Sequence, residues 1–318
     1  MGARPRGFFD RRWTRYLGQK AGVAAGLSRA PRRPRAVPDT AAMPIERRLA
    51  EAAALLARAW RDRSTLPGLP HALPDEPRPQ TREEAYAIQD EMSRLLGLGI
   101  AGWKVGAATP GIMREKNLDG PIPGPIYQPC LRHSPAEFAG EDFPRSNLES
   151  EFAFRLLEDL PHRDRPYEAD QLARISVLHA AFDVVSSRYR ASPGPFSEIA
   201  DSGNSGGAVI GPELRDWSKL NLCEVPVRLR VNGGPEVMNY SGEWRRDPLD
   251  VFTWLANTLR ERKIGGKITL PAGAFVLTGS VTEPRRLPPG SSAVAEFEGM
   301  GEVRVRISEA VFTSTEPG

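Results

Sequence analysis

The spacing of apolar residues predicts two helices in the first third of the chain. Between residues 45 and 60 apolar side chains recur every three or four positions, which places one stripe on one face of a helix: Ile45, Leu49, Ala52, Leu56 and Trp60. The proline-rich stretch LPGLPHALPDEPRP should end this helix. A second helix is predicted from Thr81, where TREE has the form of a capping box ahead of AYAIQDEMSRLLG.

From Gly99 onward the pattern changes to short β-rich segments separated by glycine and proline. Four of them are GWKVGAA, VPVRLRVNGG, GAFVLTGSV and GEVRVRIS. One clear helix interrupts this region: Asp247 is its predicted N-cap, Pro248 its first residue, and Gly265 can end it. Its apolar stripe consists of Leu249, Phe252, Leu255 and Leu259. The main body is therefore predicted to be mostly sheet.

These patterns predict an α+β chain in four parts. We expect a basic tail over residues 1–42 that lies outside the fold, a helical region over 43–98, a β-rich domain over 99–310 and a short C-terminal tail over 311–318.

The sequence NLESEFAFRLLEDL alternates in a way that concentrates acidic chemistry. With a period of two, Leu148, Ser150 and Phe152 share one face of a strand, and Glu149 and Glu151 share the other. Asp183 lies within the apolar run ISVLHAAFDVVSSRY, and a buried carboxylate needs a cation, a metal or hydrogen-bond donors. Three converging carboxylates would bind a hard divalent ion such as Mg2+ or Mn2+.

A simpler interpretation stays open on this evidence. Glu149 and Glu151 can be the solvated face of an edge strand, and Asp183 can pair with Arg188 or cap a turn.

Two further polar residues are candidate functional residues, Lys104 for proton transfer or anion binding and Asp119 without a role that its loop defines. Lys104 is flanked by Trp103, Val105 and glycines, so burial is expected to lower its pKa; a snorkelling lysine is the alternative. Asp119 lies in the Gly- and Pro-rich loop NLDGPIPGPIY, where a turn-forming aspartate is the alternative.

Charge and composition narrow the function classes. The whole chain has a net charge of +3 and the first 42 residues alone carry +8, so the remainder carries a net charge of −5. Residues 43–318, with this negative net charge, do not suggest the basic surface that nucleic-acid-binding proteins need. Apolar runs are far shorter than the roughly 18 residues of a membrane span. The two cysteines, Cys130 and Cys223, form neither a disulfide framework nor a CxxC metal motif, and we expect a reducing cytoplasm.

The Arg-rich tail resembles an organellar transit peptide, but a second interpretation competes. Met43 opens MPIERRLAEAA, which reads like a natural start, and we favour an upstream extension that is not native.

The sequence was compared with the short motifs of serine hydrolases, nucleotide-binding proteins and zinc proteases. Residues 203–207, GNSGG, match GxSxG, but all four histidines precede Ser205, which excludes the Ser–acid–His order of that fold; a His–Asp–Ser order remains open. The chain has no GxGxxG after a strand, no phosphate-loop motif and no HExxH.

Seven segments in order resemble the fumarylacetoacetate hydrolase superfamily, and more closely its branch of 2-keto-4-pentenoate hydratases and 4-oxalocrotonate decarboxylases. The resemblance covers about residues 81–308 and rests on GWKVG, LDGPIPGPIY, ESEFAF, FDVVSSRY, ADSGNSGGAVIG, RDPLDVFTWLAN and FVLTGS. It implies a mixed β-sandwich or rolled-sheet core, Mg2+ or Mn2+ bound by carboxylates, and homo-oligomers.

Carried over by position, the resemblance assigns metal ligands, proton-transfer residues and a substrate pocket. The ligands would be Glu149, Glu151 and Asp183, and the catalytic residues Lys104 and Asp119. Ser205, Thr278 and Ser280 would line the substrate. One departure is Asp183, where that branch usually has Glu, so the ligand arm is shorter by about 1.5 Å.

The reaction implied is the addition of water to a 2-hydroxy-2,4-dienoate, giving a 4-hydroxy-2-oxo acid in aromatic-compound catabolism. The same site would serve a 4-oxalocrotonate-type decarboxylase or an acylpyruvate C–C hydrolase. A serine hydrolase built on Ser205 and a non-catalytic relative are the remaining alternatives.

Overall fold

The computed structural model describes residues 45–66, 78–143, 145–263 and 266–310. The basic tail 1–42, the start at Met43, the C-terminal tail 311–318 and the stop at Gly265 lie outside these ranges. In the ranges that are described, every helix is too short or too polar to span a membrane.

Two N-terminal helices form as their apolar stripes predict. The first, α1 (Ile45–Arg61), and the second, α2 (Arg82–Leu96), pack on each other. Their buried side chains, among them Leu56, Ile88 and Met92, form one cluster with Ile199 from the body of the protein. The helices are thus fixed to the β-rich part by a shared core.

Thr81 caps α2 in the predicted way, but the capping box is only half formed. The Thr81 hydroxyl accepts the backbone N–H of Glu84 at 3.2 Å. The carboxylate of Glu84 does not accept the backbone N–H of Thr81, as a complete capping box requires. It accepts the backbone N–H of Gln80 at 2.7 Å and forms an ion pair with Arg48. Glu84 therefore ties the start of α2 to α1.

Because the hydroxyl satisfies a free N–H of the first turn, Thr81→Ala should lower the free energy of unfolding by about 1 kcal/mol. Urea denaturation measures this difference. Thr81→Ser keeps the acceptor and should leave stability close to that of the unchanged protein; equal losses in both variants would contradict the capping role.

The main sheet has eight strands in the order β2-β1-β11-β5-β7-β8-β3, with β12 also paired to β5. It curls into a half-barrel. The strands are β1 (Ile100–Gly106), β2 (Ile122–Tyr127), β3 (Leu131–His133), β5 (Asn147–Leu156), β7 (Ser176–Val185), β8 (Ser205–Leu214), β11 (Phe275–Ser280) and β12 (Arg285–Arg286).

A second sheet of four strands covers one face of the first. Its order is β4-β14-β13-β9, formed by β4 (Ala136–Phe138), β9 (Val227–Val231), β13 (Ser292–Phe297) and β14 (Gly301–Ile307). Phe152 of β5 meets Phe297 edge-on with ring centroids 5.5 Å apart. A small pair, β6 (Leu160–Pro161) with β10 (Ile268–Leu270), completes the strands found in the described ranges. The α+β class with a rolled sheet and N-terminal helices is confirmed.

The longest helix of the body also forms as predicted. Helix α6 (Pro248–Glu261) starts at Asp247, whose side chain accepts the N–H of Leu249 at 2.8 Å. Its residue Phe252 stacks on Phe154 of β5. Three six-residue helices were not predicted, because fewer than two turns leave little periodicity to read: α3 (Pro110–Glu115), α4 (Ala169–Arg174) and α5 (Pro195–Ala200).

The other face of the main sheet is lined by small and apolar side chains. Cross-strand partners show that Ala153, Ala181, Ala208 and Leu277 lie on the same face as Glu149 and Asp183. These four belong to one buried cluster. This face of the sheet thus holds an apolar cluster with the acidic residues at one end.

Candidate active site

Three carboxylates meet at the end of the two central strands. Glu149 of β5 and Asp183 of β7 are direct cross-strand partners, and Glu151 follows two residues later on the same face. One carboxylate oxygen of each lies within 4.8 Å of the others. Glu151 and Asp183 are buried and Glu149 is half-buried. Sheet register therefore brings together residues that are 34 positions apart.

Lys104 joins this cluster from β1. Its strand runs parallel to β11, and β11 in turn pairs with β5, so one strand separates Lys104 from the glutamates. The ammonium Nζ lies 2.6 Å from Oδ2 of Asp183, and the Lys104 side chain is only 3% exposed. One buried cation thus faces three buried or half-buried acids.

The backbone of Gly279 supplies a further polar contact. Its N–H donates to Oε2 of Glu151 at 2.8 Å. Gly279 has a φ of +93°, and a Cβ there would lie 2.9 Å from the Cβ of Ala108. Only glycine therefore adopts this backbone next to Val105 and Ala108 without strain. The sequence analysis missed Gly279; a glycine inside the apolar strand FVLTGS was the available signal.

The cluster keeps acceptor capacity that the described residues do not use. Oε1 of Glu151 and Oδ1 of Asp183 are buried and have no hydrogen-bond donor within the described ranges. Buried acceptors of this kind are uncommon in proteins and call for an explanation. These two oxygens and the Glu149 carboxylate form a set of hard oxygen donors of the kind that binds Mg2+ or Mn2+.

Burial and mutual repulsion raise the pKa values of the acidic residues. Desolvation is the main cause for Glu149 and Asp183, and Lys104 partly opposes it. Desolvation and the charges of Asp183 and Glu149 together raise the pKa of Glu151 well above its usual value. For Lys104 burial acts to lower the pKa, but Asp183, Glu149 and Glu151 outweigh it, and the pKa is raised. The expected lowered pKa of Lys104 was wrong, because the sequence did not show three acids around it.

The simpler interpretations of these residues do not hold. Strand β5 is central, between β11 and β7, so Glu149 and Glu151 are not on an edge. Arg188 pairs with Asp201 and not with Asp183. Lys104 is too buried for its ammonium to reach water by snorkelling.

Asp119 has a different environment from the cluster. Its side chain is 70% exposed and forms an ion pair with Arg82 of α2. The Nε of Arg82 lies 3.0 Å from Oδ1 of Asp119. In the part of the chain that the structure describes, its hydrogen-bond and ion-pair partner is Arg82 and not Lys104. A catalytic role for Asp119 stays a prediction.

The three residues predicted to line the substrate lie on strands beside the cluster. Ser280 is the cross-strand partner of Glu151, and its hydroxyl donates to the carbonyl of Thr282 at 2.7 Å. Thr278 donates to the carbonyl of Phe152 at 2.9 Å. Ser205 is 3% exposed and opens β8, where its carbonyl accepts an N–H of Arg188 at 2.6 Å. Their contact with a substrate stays a prediction.

Two other side chains interact electrostatically with Glu149 and were missed: Lys116 acts on Glu149, and Glu149 acts on Tyr240. The positive charge of Lys116 lowers the pKa of Glu149, against the larger effect of burial. The Nζ of Lys116 lies 2.9 Å from Oε2 of Glu198. Burial first, and then the charge of Glu149, raises the pKa of Tyr240 to about 12. Both residues come from loops with no regular pattern, so the sequence carried no signal for them.

Residues 138–308, more than half of the chain, match the family model described as the C-terminal domain of fumarylacetoacetate hydrolase. The chain belongs to the fumarylacetoacetate hydrolase family. The match runs from the last residue of β4 through β14 and includes all three clustered carboxylates. Lys104 lies before the matched residues and reaches the cluster through the fold.

Relatives within this family carry two enzyme names. The chain is 27% identical over 237 residues to a 2-keto-4-pentenoate hydratase of Burkholderia vietnamiensis, covering 71% of this chain and 86% of that one. It is 25% identical over 230 residues to a 4-oxalocrotonate decarboxylase of Pseudomonas putida, covering 71% and 85%. The resemblance to this branch is confirmed.

A solved structure shares the fold. The 4-oxalocrotonate decarboxylase of Pseudomonas putida G7, complexed with magnesium and adipate, superposes with a TM-score of 0.70 at 22% sequence identity. The match covers 82% of this chain and 98% of the other. The fold therefore extends beyond the matched family domain to most of the chain.

Proposed function

We propose that the protein is a divalent-metal-dependent hydratase that adds water to a 2-hydroxy-2,4-dienoate and yields a 4-hydroxy-2-oxo acid. The observation that carries this proposal is the group of Glu149, Glu151 and Asp183, whose oxygens converge within 4.8 Å beside Lys104. The hydratase names of relatives at 26–27% identity support the choice of reaction.

The residues present fit a hard divalent ion. Glu151 and Asp183 each keep one buried oxygen without a hydrogen-bond donor in the described ranges, and burial raises their pKa values even though Lys104 opposes it. A magnesium ion is bound in the related decarboxylase structure. When bound, such an ion polarises the carboxylate and 2-oxo group of a short 2-oxo acid and stabilises negative charge on it.

The protein's own groups would orient the substrate and transfer protons. Lys104 Nζ holds a proton beside Asp183, and we assign it the delivery of a proton to the substrate carbon while water adds across the double bond. Asp119 is the second proposed proton-transfer residue, and in this structure Arg82 holds its carboxylate. Ser205, Thr278 and Ser280 are proposed to line the substrate.

A 4-oxalocrotonate-type decarboxylase is the second candidate, because relatives at 24–25% identity carry that name. Incubation of the Mg2+- or Mn2+-loaded protein with 2-hydroxypenta-2,4-dienoate, 2-oxohex-3-enedioate and acylpyruvates tests the choice. Loss of dienol absorbance without CO2 supports the hydratase, and CO2 release from 2-oxohex-3-enedioate supports the decarboxylase. Cleavage of acylpyruvates alone would indicate the hydrolase, and no turnover of any substrate would contradict all three.

A serine hydrolase built on Ser205 is disfavoured by the environment of that residue. Ser205 is almost fully buried, its backbone carbonyl accepts an N–H of Arg188, and among the described residues no histidine is hydrogen-bonded to its hydroxyl. We expect a fluorophosphonate probe to leave the protein unlabelled, as measured by intact-mass spectrometry. A single adduct that disappears in Ser205→Ala would revive the serine mechanism.

Assembly into a homo-oligomer, a cytoplasmic location and a place in aromatic-compound catabolism complete the proposal. They rest on the family resemblance and on the relatives' names.

A further inference from the structure

A cavity is lined by residues that do not belong to the carboxylate cluster. It has a volume of about 270 Å³ and lies between the end of α1, strand β3 and the segment that follows β7. Neither Lys104 nor any of the three clustered carboxylates lines it. Nothing in the proposed reaction uses this cavity.

The charged side chains of its lining are mostly arginines, two of which are paired with carboxylates: Arg63 with Asp142, and Arg188 with Asp201 behind the lining. Four arginines face it, Arg61, Arg63, Arg132 and Arg188, against a single acid, Asp142. The chain after residue 42 has a net charge of −5, so four arginines around one cavity are a local concentration and not a general property of the surface.

Arg188 forms a rigid floor for the cavity. Its side chain is 7% exposed, and Asp201 and the Ser205 carbonyl hold it through Nε, Nη1 and Nη2. Those contacts use three of the five N–H groups of a guanidinium. The position of Arg188 is therefore fixed before any ligand arrives, which lowers the entropy cost of binding.

Arg132 is held at the wall by a different contact. The guanidinium carbon lies 4.5 Å from the centre of the Phe138 ring, and one N–H donates to the carbonyl of Glu137. Stacking leaves the edge of the guanidinium available, which is the edge that binds carboxylate or phosphate in a bidentate manner. Trp60, Phe138 and Phe143 add apolar surface to the lining.

We propose that this cavity binds a small dianion, either a short dicarboxylate or a phosphate group. The arginines supply charge and paired N–H donors, and hydroxyls from Ser64, Thr65 and Ser186 supply further polar partners. A volume of about 270 Å³ is at the lower end of small-molecule pockets, so the ligand has few non-hydrogen atoms.

Titration calorimetry of the full chain at low ionic strength tests the proposal, with succinate in one arm and inorganic phosphate in the other. The arm with the higher affinity identifies the chemical source of the dianion. Arg132→Gln should weaken binding roughly tenfold, because one charge-assisted contact is lost. Asp142→Asn removes the single lining acid and should strengthen binding.

Two controls separate this site from the others. Arg228→Gln removes an equal charge on β9, the strand farthest from β4 in its sheet, and should leave the affinity unchanged. Glu151→Gln changes the carboxylate cluster and should also leave it unchanged, so this result is independent of the proposed hydratase activity. No binding of either anion, or equal weakening in Arg132→Gln and Arg228→Gln, would overturn the proposal. In a repeat with Mg2+ added, loss of binding in Glu151→Gln but not in Arg132→Gln would place the anion at the cluster and overturn the proposal as well.

Discussion

Replacing Glu151 by glutamine should weaken the binding of Mn2+ or Mg2+ by at least roughly 100-fold and abolish turnover, if the carboxylate cluster is a metal site. The variant keeps the shape of the side chain and an acceptor for the N–H of Gly279, so the fold should persist. It loses the charge that a divalent ion needs from a fully buried ligand. Titration calorimetry with each ion measures the affinity, and the dienol assay measures the rate.

Glu213→Gln is the matched control for this experiment. Glu213 also lies on the main sheet, at the end of β8, but its carboxylate pairs with Arg155 and Arg215 away from the cluster. This variant should bind the ions as the unchanged protein does. Full metal affinity in Glu151→Gln would show that the three acids do not hold an ion, and the metal-dependent hydratase would be wrong.

The same cluster gives the metal affinity a defined pH dependence. The pKa values of Glu149, Glu151 and Asp183 are raised by burial, so protons compete with the ion over a range above their usual values. Affinity should therefore rise as the pH rises through that range, and ion binding should release protons. Calorimetry in two buffers of different ionisation enthalpy detects the released protons; a pH-independent affinity would contradict the assignment of these ligands.

Lys104→Met should lower the free energy of unfolding of the metal-free protein by about 3–5 kcal/mol near neutral pH. The substitution removes one member of a buried ion pair and leaves Asp183, only 1% exposed, without its cation. Without Lys104 the pKa of Asp183 rises further, so the variant gains stability as the pH falls and Asp183 takes up a proton. Urea denaturation at several pH values measures both effects.

The Lys104 variant also separates proton transfer from metal binding. Because the three acids remain, the ion should still bind and should restore part of the lost stability. Turnover should nevertheless fall by roughly 10²–10⁴-fold, the contribution typical of a positioned proton-transfer group. The double variant Lys104→Met/Asp183→Asn serves as control and should recover stability but not activity. If the single variant unfolded at the same urea concentration as the unchanged protein, the predicted contribution of the Lys104–Asp183 ion pair to stability would be wrong.

Much of the local structure followed from the sequence. The period of 3.6 in the apolar residues gave the three long helices, and Thr81 and Asp247 marked two helix starts because short polar side chains satisfy the free N–H groups there. The period of two in NLESEFAF put Glu149 and Glu151 on one face, because successive side chains of a strand alternate. These are short-range effects, which neighbouring residues determine.

The environment of each site residue was decided by the tertiary structure. Pairing of β5 with β7 set Asp183 opposite Glu149, and the path from β1 through β11 brought the Lys104 ammonium to Asp183. The pKa of Lys104 is raised for this reason, whereas its sequence neighbours predicted the opposite, since electrostatic energies depend on distance in space. Asp119 pairs with Arg82 because α2 packs beside its loop, a contact that neither segment indicates by itself. Sequence alone thus supplied the acidic residues and their strands, and only the register and packing of those strands decided which charges meet.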